Sequence, residues 1–335
     1  MSDYLVREGI DTWHAYGVET TSGTKASSIN KNVGLTQNFN FNINRNIVRP
    51  RGAIGYLVDD NTKPTSRDAQ SILKGTFEGS LSLSFQPSNF RFMESVLGSE
   101  SGSGTTAAPY VYPQASGSTN AEKLKYVRLP SLTWSTNALY DGTNDNADGG
   151  VDLLGCKIGS CDIRAAMGEP VSVSLTVPFK DINPRHTLDT GVPIENEDVY
   201  HFTGCDVEIP SDESITNIIN DFTLTVNNGT NYRHGIGSDK PKAIFAGNRE
   251  FTLNLNLTSE GLRWVKAIGA FTIFESITLK FEGDDDRTFE IELFNCGLDS
   301  NNVQGSHPNP VDEQLTVYPT HAIAREVIDA SEGGD

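Results

Sequence analysis

Two runs decide how this chain is read: Asp221-Phe222-Thr223-Leu224-Thr225-Val226-Asn227-Asn228 and, after a polar loop, Glu250-Phe251-Thr252-Leu253-Asn254-Leu255-Asn256-Leu257. In the first, Phe222, Leu224 and Val226 share a face; in the second, Phe251, Leu253, Leu255 and Leu257 do. A period of two sustained this long predicts half-buried strands. Thr258-Ser259-Glu260 then supplies helix-start residues, Leu262, Val265 and Ile268 a helical stripe, and Gly269 a stop. Asn220–Gly269 therefore predicts strand, long loop, strand, short helix.

The first half of the chain repeats this pattern. Phe39, Phe41 and Ile43 alternate with Asn38, Asn40, Asn42 and Asn44, and Leu81, Leu83 and Phe85 alternate with Ser80, Ser82 and Ser84. Ser88 opens a short helix ending before Gly98, with Phe92, Met93, Val96 and Leu97 on its apolar side. Glu78, Leu81, Leu83 and Phe85 precede Glu250, Leu253, Leu255 and Leu257 by one constant spacing. Further on, Cys156, Pro170-Val171 and Leu175-Thr176-Val177 precede Cys296, Pro310-Val311 and Leu315-Thr316-Val317 by a second, shorter constant spacing. Such self-similarity predicts two copies of one module. The expected organisation is an arm over 1–32, a first module over 33–200 and a second over 201–335 with a C-terminal tail. Inserted loops are expected at about 99–126 and 141–150, where the spacing shortens. A strand at Leu129–Leu139 and a hairpin of Glu275–Phe281 with Arg287–Phe294 complete a mainly β fold of two β-sandwich or barrel modules. Each module carries one short helix and one long loop, Arg45–Lys74 and Asn228–Gly247.

The composition narrows the function. A net charge of −18 excludes a protein that grips nucleic acid through its phosphates. No run approaches the ~20 apolar residues of a membrane-spanning helix, and the charged start Met1-Ser2-Asp3-Tyr4 lacks the apolar core of a signal peptide. Folding in the cytoplasm, without membrane insertion, is the expectation. Cys156, Cys161, Cys205 and Cys296 lie in or beside apolar runs and read as buried thiols rather than, with His201, a zinc set. The acidic turns Gly283-Asp284-Asp285-Asp286 and Asp141, Asp145 and Asp148 lack the ordered spacing of a calcium loop. Asn228-Gly229-Thr230, in a turn, fits a glycosylation sequon. No nucleophile elbow, phosphate loop or zinc-protease helix is present, so neither an enzyme nor a cofactor is expected.

Order and spacing carry a resemblance. Gly17-Val18-Glu19-Thr20-Thr21-Ser22-Gly23-Thr24, Gly75-Thr76-Phe77-Glu78-Gly79-Ser80-Leu81, the openings Gly155-Cys156 and Gly204-Cys205, and Phe222–Asn228 together resemble tail tube proteins of long-tailed viruses. The resemblance implies β domains joined edge to edge into rings, rings stacked into a tube, and viral DNA passing through the channel without specific binding. The implied partners are further copies of the chain and other tail proteins at the tube ends, within a virion assembled in the host cytoplasm. With two modules per chain, the expectation becomes three chains per pseudo-hexameric ring, in a long non-contractile tail without a sheath. Candidate lumen-facing residues are Asn38, Asn40, Asn42 and Asn44, then Ser80, Ser82 and Ser84, and Thr252, Asn254 and Asn256. Candidate inter-ring or inter-subunit contacts are Arg45, Arg49, Arg51, Arg233, Lys240 and Lys242. The rival reading, an adhesion or carbohydrate-binding β-sandwich, expects clustered exposed aromatics, whereas Trp13, Trp134 and Trp264 are dispersed.

Overall fold

Phe, Leu and Val alternating with Ser, Thr and Asn fit a pleated, half-buried surface, and the chain is mainly β. The computed structural model describes residues 12–49, 73–114, 127–138, 150–185, 198–209, 218–259, 263–284, 287–305 and 311–328. The first part holds β1 (Thr12–Val18), β2 (Lys31–Asn32), β3 (Leu35–Asn44), β4 (Glu78–Gln86) and helix α1 (Met93–Val96). There follow β5 (Tyr110–Tyr112), β6 (Leu132–Ala138), β7 (Gly150–Cys156), β8 (Ser160–Ala166), β9 (Ser172–Phe179) and β10 (Asp181–Arg185). Next come β11 (Cys205–Glu208), β12 (Ile219–Asn227), β13 (Asn231–Arg233), β14 (Ala243–Phe245) and β15 (Glu250–Thr258). Helix α2 (Arg263–Gly269), β16 (Ile273–Glu282), β17 (Thr288–Gly305), β18 (Val311–Tyr318) and β19 (His321–Val327) finish the chain.

One sheet runs β10-β7-β6-β1-β2, and a larger antiparallel sheet runs β11-β16-β17-β18-β15-β12-β8-β9-β4-β3. The architecture is consistent with a β-sandwich. β17 changes partners along its length. Its first part, Thr288–Phe294, pairs with β19, and its last part, Gly297–Gly305, pairs with β18. The turn-over point is Asn295, whose φ of 50° is left-handed. In the earlier half the same job falls to Gly155, φ 67°, after which the chain leaves the five-stranded sheet for β8 in the large one.

The registers recur between the halves. β3 pairs with β4 from Asn38↔Ser84 to Asn44↔Glu78, and β12 pairs with β15 from Asp221↔Asn256 to Asn227↔Glu250. Even the bulge between Thr36 and Asn38 has a counterpart, between Ile219 and Asp221, at the matching place in the second half. Ser160↔Thr176 between β8 and β9 likewise corresponds to Ser300↔Thr316 between β17 and β18.

The halves also share a core. The Phe90 ring stacks on Phe289 at 3.7 Å between centroids and 7° between planes. Phe281 and Tyr200 lie 5.4 and 5.1 Å from it.

Three expectations change. Residues Thr12–Val18, expected in an arm, pair along their whole length with β6. Their pattern is hidden because consecutive side chains His14, Ala15 and Tyr16 are all buried, leaving no polar face to alternate with. In α2 the core anchor is Trp264, 6.1 Å from Phe274; of the expected stripe Ile268 is half-buried against the core, Val265 is exposed and Leu262 lies outside the described residues. After α2 the left-handed residue is Phe271, φ 51°, while Gly98 does turn left-handed after α1.

Candidate functional site

The surface of interest is the polar face of the large sheet together with its two open edges. Strict alternation sends Leu81, Leu83, Phe85, Leu253, Leu255 and Leu257 into the core, which forces the intervening Ser, Thr and Asn residues onto the opposite face. Cross-strand pairing aligns them. Asn40 faces Ser82, Ser82 faces Thr176, Thr176 faces Ser160, and Ser160 faces Asn227. A parallel row runs Asn38, Ser84, Ser174, Asp162, Thr225 and Thr252. Asn42 lies opposite Ser80, and Asn44 opposite Glu78. Farther along, Asn254 faces Thr316 and Asn256 faces Gln314. All ten candidate lumen residues thus lie on the same sheet, spaced over β3, β4 and β15.

The face is wet and weakly charged. Thr225 donates to Asp162 Oδ1 at 2.6 Å, Asn256 to Asp221 Oδ2 at 2.9 Å, and Thr316 to Asn254 Oδ1 at 3.1 Å. Arg164, a cation on this face, is matched by Glu169 at 3.6 Å. A shallow hollow of about 280 Å³ is lined by Asn220, Asp221, Asn256, Gln304, Asp312 and Gln314. Its amides and carboxylates form hydrogen bonds but include neither a nucleophile nor an imidazole base. Among the described residues no group of three or more His, Cys, Asp or Glu is placed to hold a metal ion.

Both edges of this polar-faced layer are open among the described residues. β3 is paired on one side with β4, and β17 beyond Leu298 is paired on one side with β18. Apolar side chains are left facing water there: Leu35 is 60% exposed, Ile43 37% and Val303 47%.

The basic loop residues are distributed differently from one another. Arg45 Nη1 lies 2.5 Å from Asp239 Oδ2, and Lys74 Nζ lies 2.7 Å from the same oxygen. Lys74, with Arg45 as well, holds the Asp239 carboxyl below its usual range. Lys240 reaches Asp181 at 2.5 Å, Phe77 N–H donates to Asp239 O at 2.7 Å, and the Tyr232 hydroxyl donates to Gly79 O. The loop after β12 therefore grips the first half of its own chain, and Arg45 and Lys240 have partners inside the molecule. Arg233 sits over the Phe245 ring at 5.8 Å, and Lys242 N–H donates to Arg233 O. Arg49 is exposed. Arg51 and most of the first loop lie outside the described residues, as does the loop at 141–149.

Four other features correct or complete the sequence reading. All four cysteines are free and buried, and burial pushes the Cys205 and Cys296 thiols up to about 12. Asn228 is no glycan acceptor: it is 2% exposed, and its amide donates to Val96 O and Ile158 O. Trp134 and Trp264 are buried, so neither contributes to an exposed aromatic platform. Finally, Glu19 is a buried hub with no local signature, accepting from Gly155 N, Thr133 Oγ1, Gly23 N and Ser131 Oγ.

A family model described as phage tail tube protein matches residues 14–319. The chain belongs to the phage tail tube protein family. No curated protein matches it. As a tail tube protein it is a structural component of the virion tail, assembling with copies of itself and with other tail proteins. The mainly β fold with large antiparallel sheets agrees with that membership. Among the described residues no helix is long and apolar enough to cross a membrane.

Proposed function

We propose that the chain is two tandem tube modules and that three copies close into a pseudo-hexameric ring, the rings stacking into a tube that conducts viral DNA. One observation carries this reading: the junction inside the chain. There β8 of the first half pairs antiparallel with β12 of the second, from Asp221↔Ala166 to Asn227↔Ser160. The matched registers and the recurring bulge support treating the halves as copies. On that basis the junction is a module-to-module contact of the kind a ring repeats.

The polar-faced layer contains β3, β4, β9, β8, β12, β15, β18 and the end of β17. Eight strands per chain and three chains make a barrel of twenty-four strands. At ~4.8 Å between strands and a tilt of about 40°, its backbone radius is roughly 24 Å, leaving a wide bore after side chains are subtracted. Closure also removes the open edges, which a free sheet leaves as templates for uncontrolled pairing.

The Asn-, Ser- and Thr-rich face is assigned to the bore. Uncharged amides and hydroxyls beside Asp162, Asp221 and Glu250 repel or ignore phosphate, so DNA slides without sticking. A cationic bore would hold it. The protein performs no chemistry in this role and needs no cofactor. Arg49, Arg51, Arg233 and Lys242 are the basic residues assigned to contacts with the next ring or subunit. The tail is assigned to the long non-contractile type.

Electron microscopy of the purified protein tests the reading. Hollow rings or filaments are expected; discrete monomers at every concentration would favour a β-sandwich binding protein instead.

A further inference from the structure

We infer that the ring closes by one specific strand pairing between copies, β3 of one chain against the end of β17 of the next, in a register already written inside each chain. The inference rests on the ring reading above and deepens it to residues.

In the junction within the chain, β12 pairs with β8 through Asn227↔Ser160, Thr225↔Asp162 and Thr223↔Arg164. Pairing with their neighbours fixes the equivalences between the halves. β12 corresponds to β3, with Asn227 in the place of Asn44, and β8 corresponds to the end of β17, with Ser160 in the place of Ser300. Replacing each strand by its equivalent gives the contact between copies: Asn44↔Ser300, Asn42↔Asn302 and Asn40↔Gln304, with Ile43↔Asn301 and Phe41↔Val303 between them. Both strands are free on the required side among the described residues.

Burial identifies the occupant. Leu224, Val226 and Ile163 at the internal junction are 0%, 1% and 0% exposed. Their counterparts at the open edges are Phe41, which is partly buried, Ile43, 37% exposed, and Val303, 47% exposed. These side chains lack the cover that the internal junction gives their equivalents, and a second copy of this chain supplies cover of matching shape. The polar side is compatible too. Where Thr225 donates to Asp162 across the internal junction, Asn42 and Asn302 place two amides that satisfy each other.

Singly substituted chains, Asn42→Cys and Asn302→Cys, are co-assembled and oxidised. The native cysteines are buried, leaving the introduced thiols as the reactive ones. A disulfide joining one chain of each kind is expected, mapped by mass spectrometry to the peptides of β3 and β17. Asn40→Cys with Asn302→Cys, displaced diagonally to roughly 7–8 Å, is expected to link at least fivefold less. Rings in which the displaced pair links as well or better, or in which neither pair links, would overturn this register while leaving the ring reading intact. Failure of the unsubstituted protein to form rings would overturn the ring reading, and this pairing with it. Should a cysteine block assembly, hydrogen exchange of the unsubstituted protein decides. Amides of Phe39–Asn44 and Ser300–Gln304 that face the open edge should slow at least tenfold on assembly, and unchanged exchange would overturn the pairing.

Discussion

At the residue scale the most telling group is Glu326. It is fully buried on β19, accepts from Phe90 N at 2.7 Å, and meets the Tyr112 hydroxyl at 3.2 Å. Tyr112 also lies 3.3 Å from Glu100 and has one proton for two carboxyls. A proton on Glu326 resolves the conflict, and burial raises its pKa from 4.5 to about 7. An acid raised by folding contributes stability that is full below pH 4.5 and lost as pH rises through 7. His14 works in the opposite direction. Burial lowers it from 6.5 to about 4, so its contribution is full above pH 6.5 and lost as pH falls through 4. Glu326→Gln mimics the protonated form. The stability of the variant minus that of the unsubstituted chain should therefore grow by about 3 kcal/mol between pH 4.5 and 7, read by urea denaturation of the unassembled chain. A difference independent of pH would refute the assignment. Glu19 gives a second prediction: Glu19→Ala strands four donors in or near the core and should cost about 3 kcal/mol or more, measured the same way. Neither carboxylate was legible in the sequence. A Glu read in isolation is a surface residue, and only the partners gathered from distant strands make it a core one.

At the element scale, legibility followed covering. β3, β4, β12 and β15 each have one wet face, so alternation exposed them in the sequence at nearly their observed bounds. From His14 to Gly17 β1 is covered on both faces and lost its signal, and the short helix α2 is anchored by Trp264 with Ile268 of the expected stripe half-buried against the core, while Val265 faces out. The polar face was readable because one strand fixes its own alternation. Its extent was not, because the ends of β17 and β8 join it through pairing that no local pattern encodes. Two predictions belong here. Phe90, stacked on Phe289, ties the helix-bearing segment of one half to the strands of the other, and Phe90→Ala should cost about 3–5 kcal/mol of stability in denaturant titrations. Val303→Lys, at an edge where the residue is exposed in the single chain, should leave the melting temperature of the unassembled protein unchanged. It should sharply reduce assembly, scored by sedimentation.

At the scale of the whole molecule, charge and symmetry dominate. Each copy carries −18, so bringing copies together works against long-range repulsion that salt screens over about 10 Å at 0.1 M. The rate of tube formation, followed by light scattering, should therefore rise with sodium chloride from low ionic strength, and a falling rate would contradict it. The same acidity, carried into the proposed bore by Asp162, Asp221 and Glu250 among amides and hydroxyls, is what the proposal relies on to keep a polyanion mobile. The proposed two-module organisation sets the most specific expectation of all, because on that reading three chains take the place of six single-module subunits. Reconstruction of assembled tubes by electron cryomicroscopy tests it most directly. Three copies of this chain per ring, with near-sixfold density broken into alternating modules, is the result predicted; six copies per ring would contradict it.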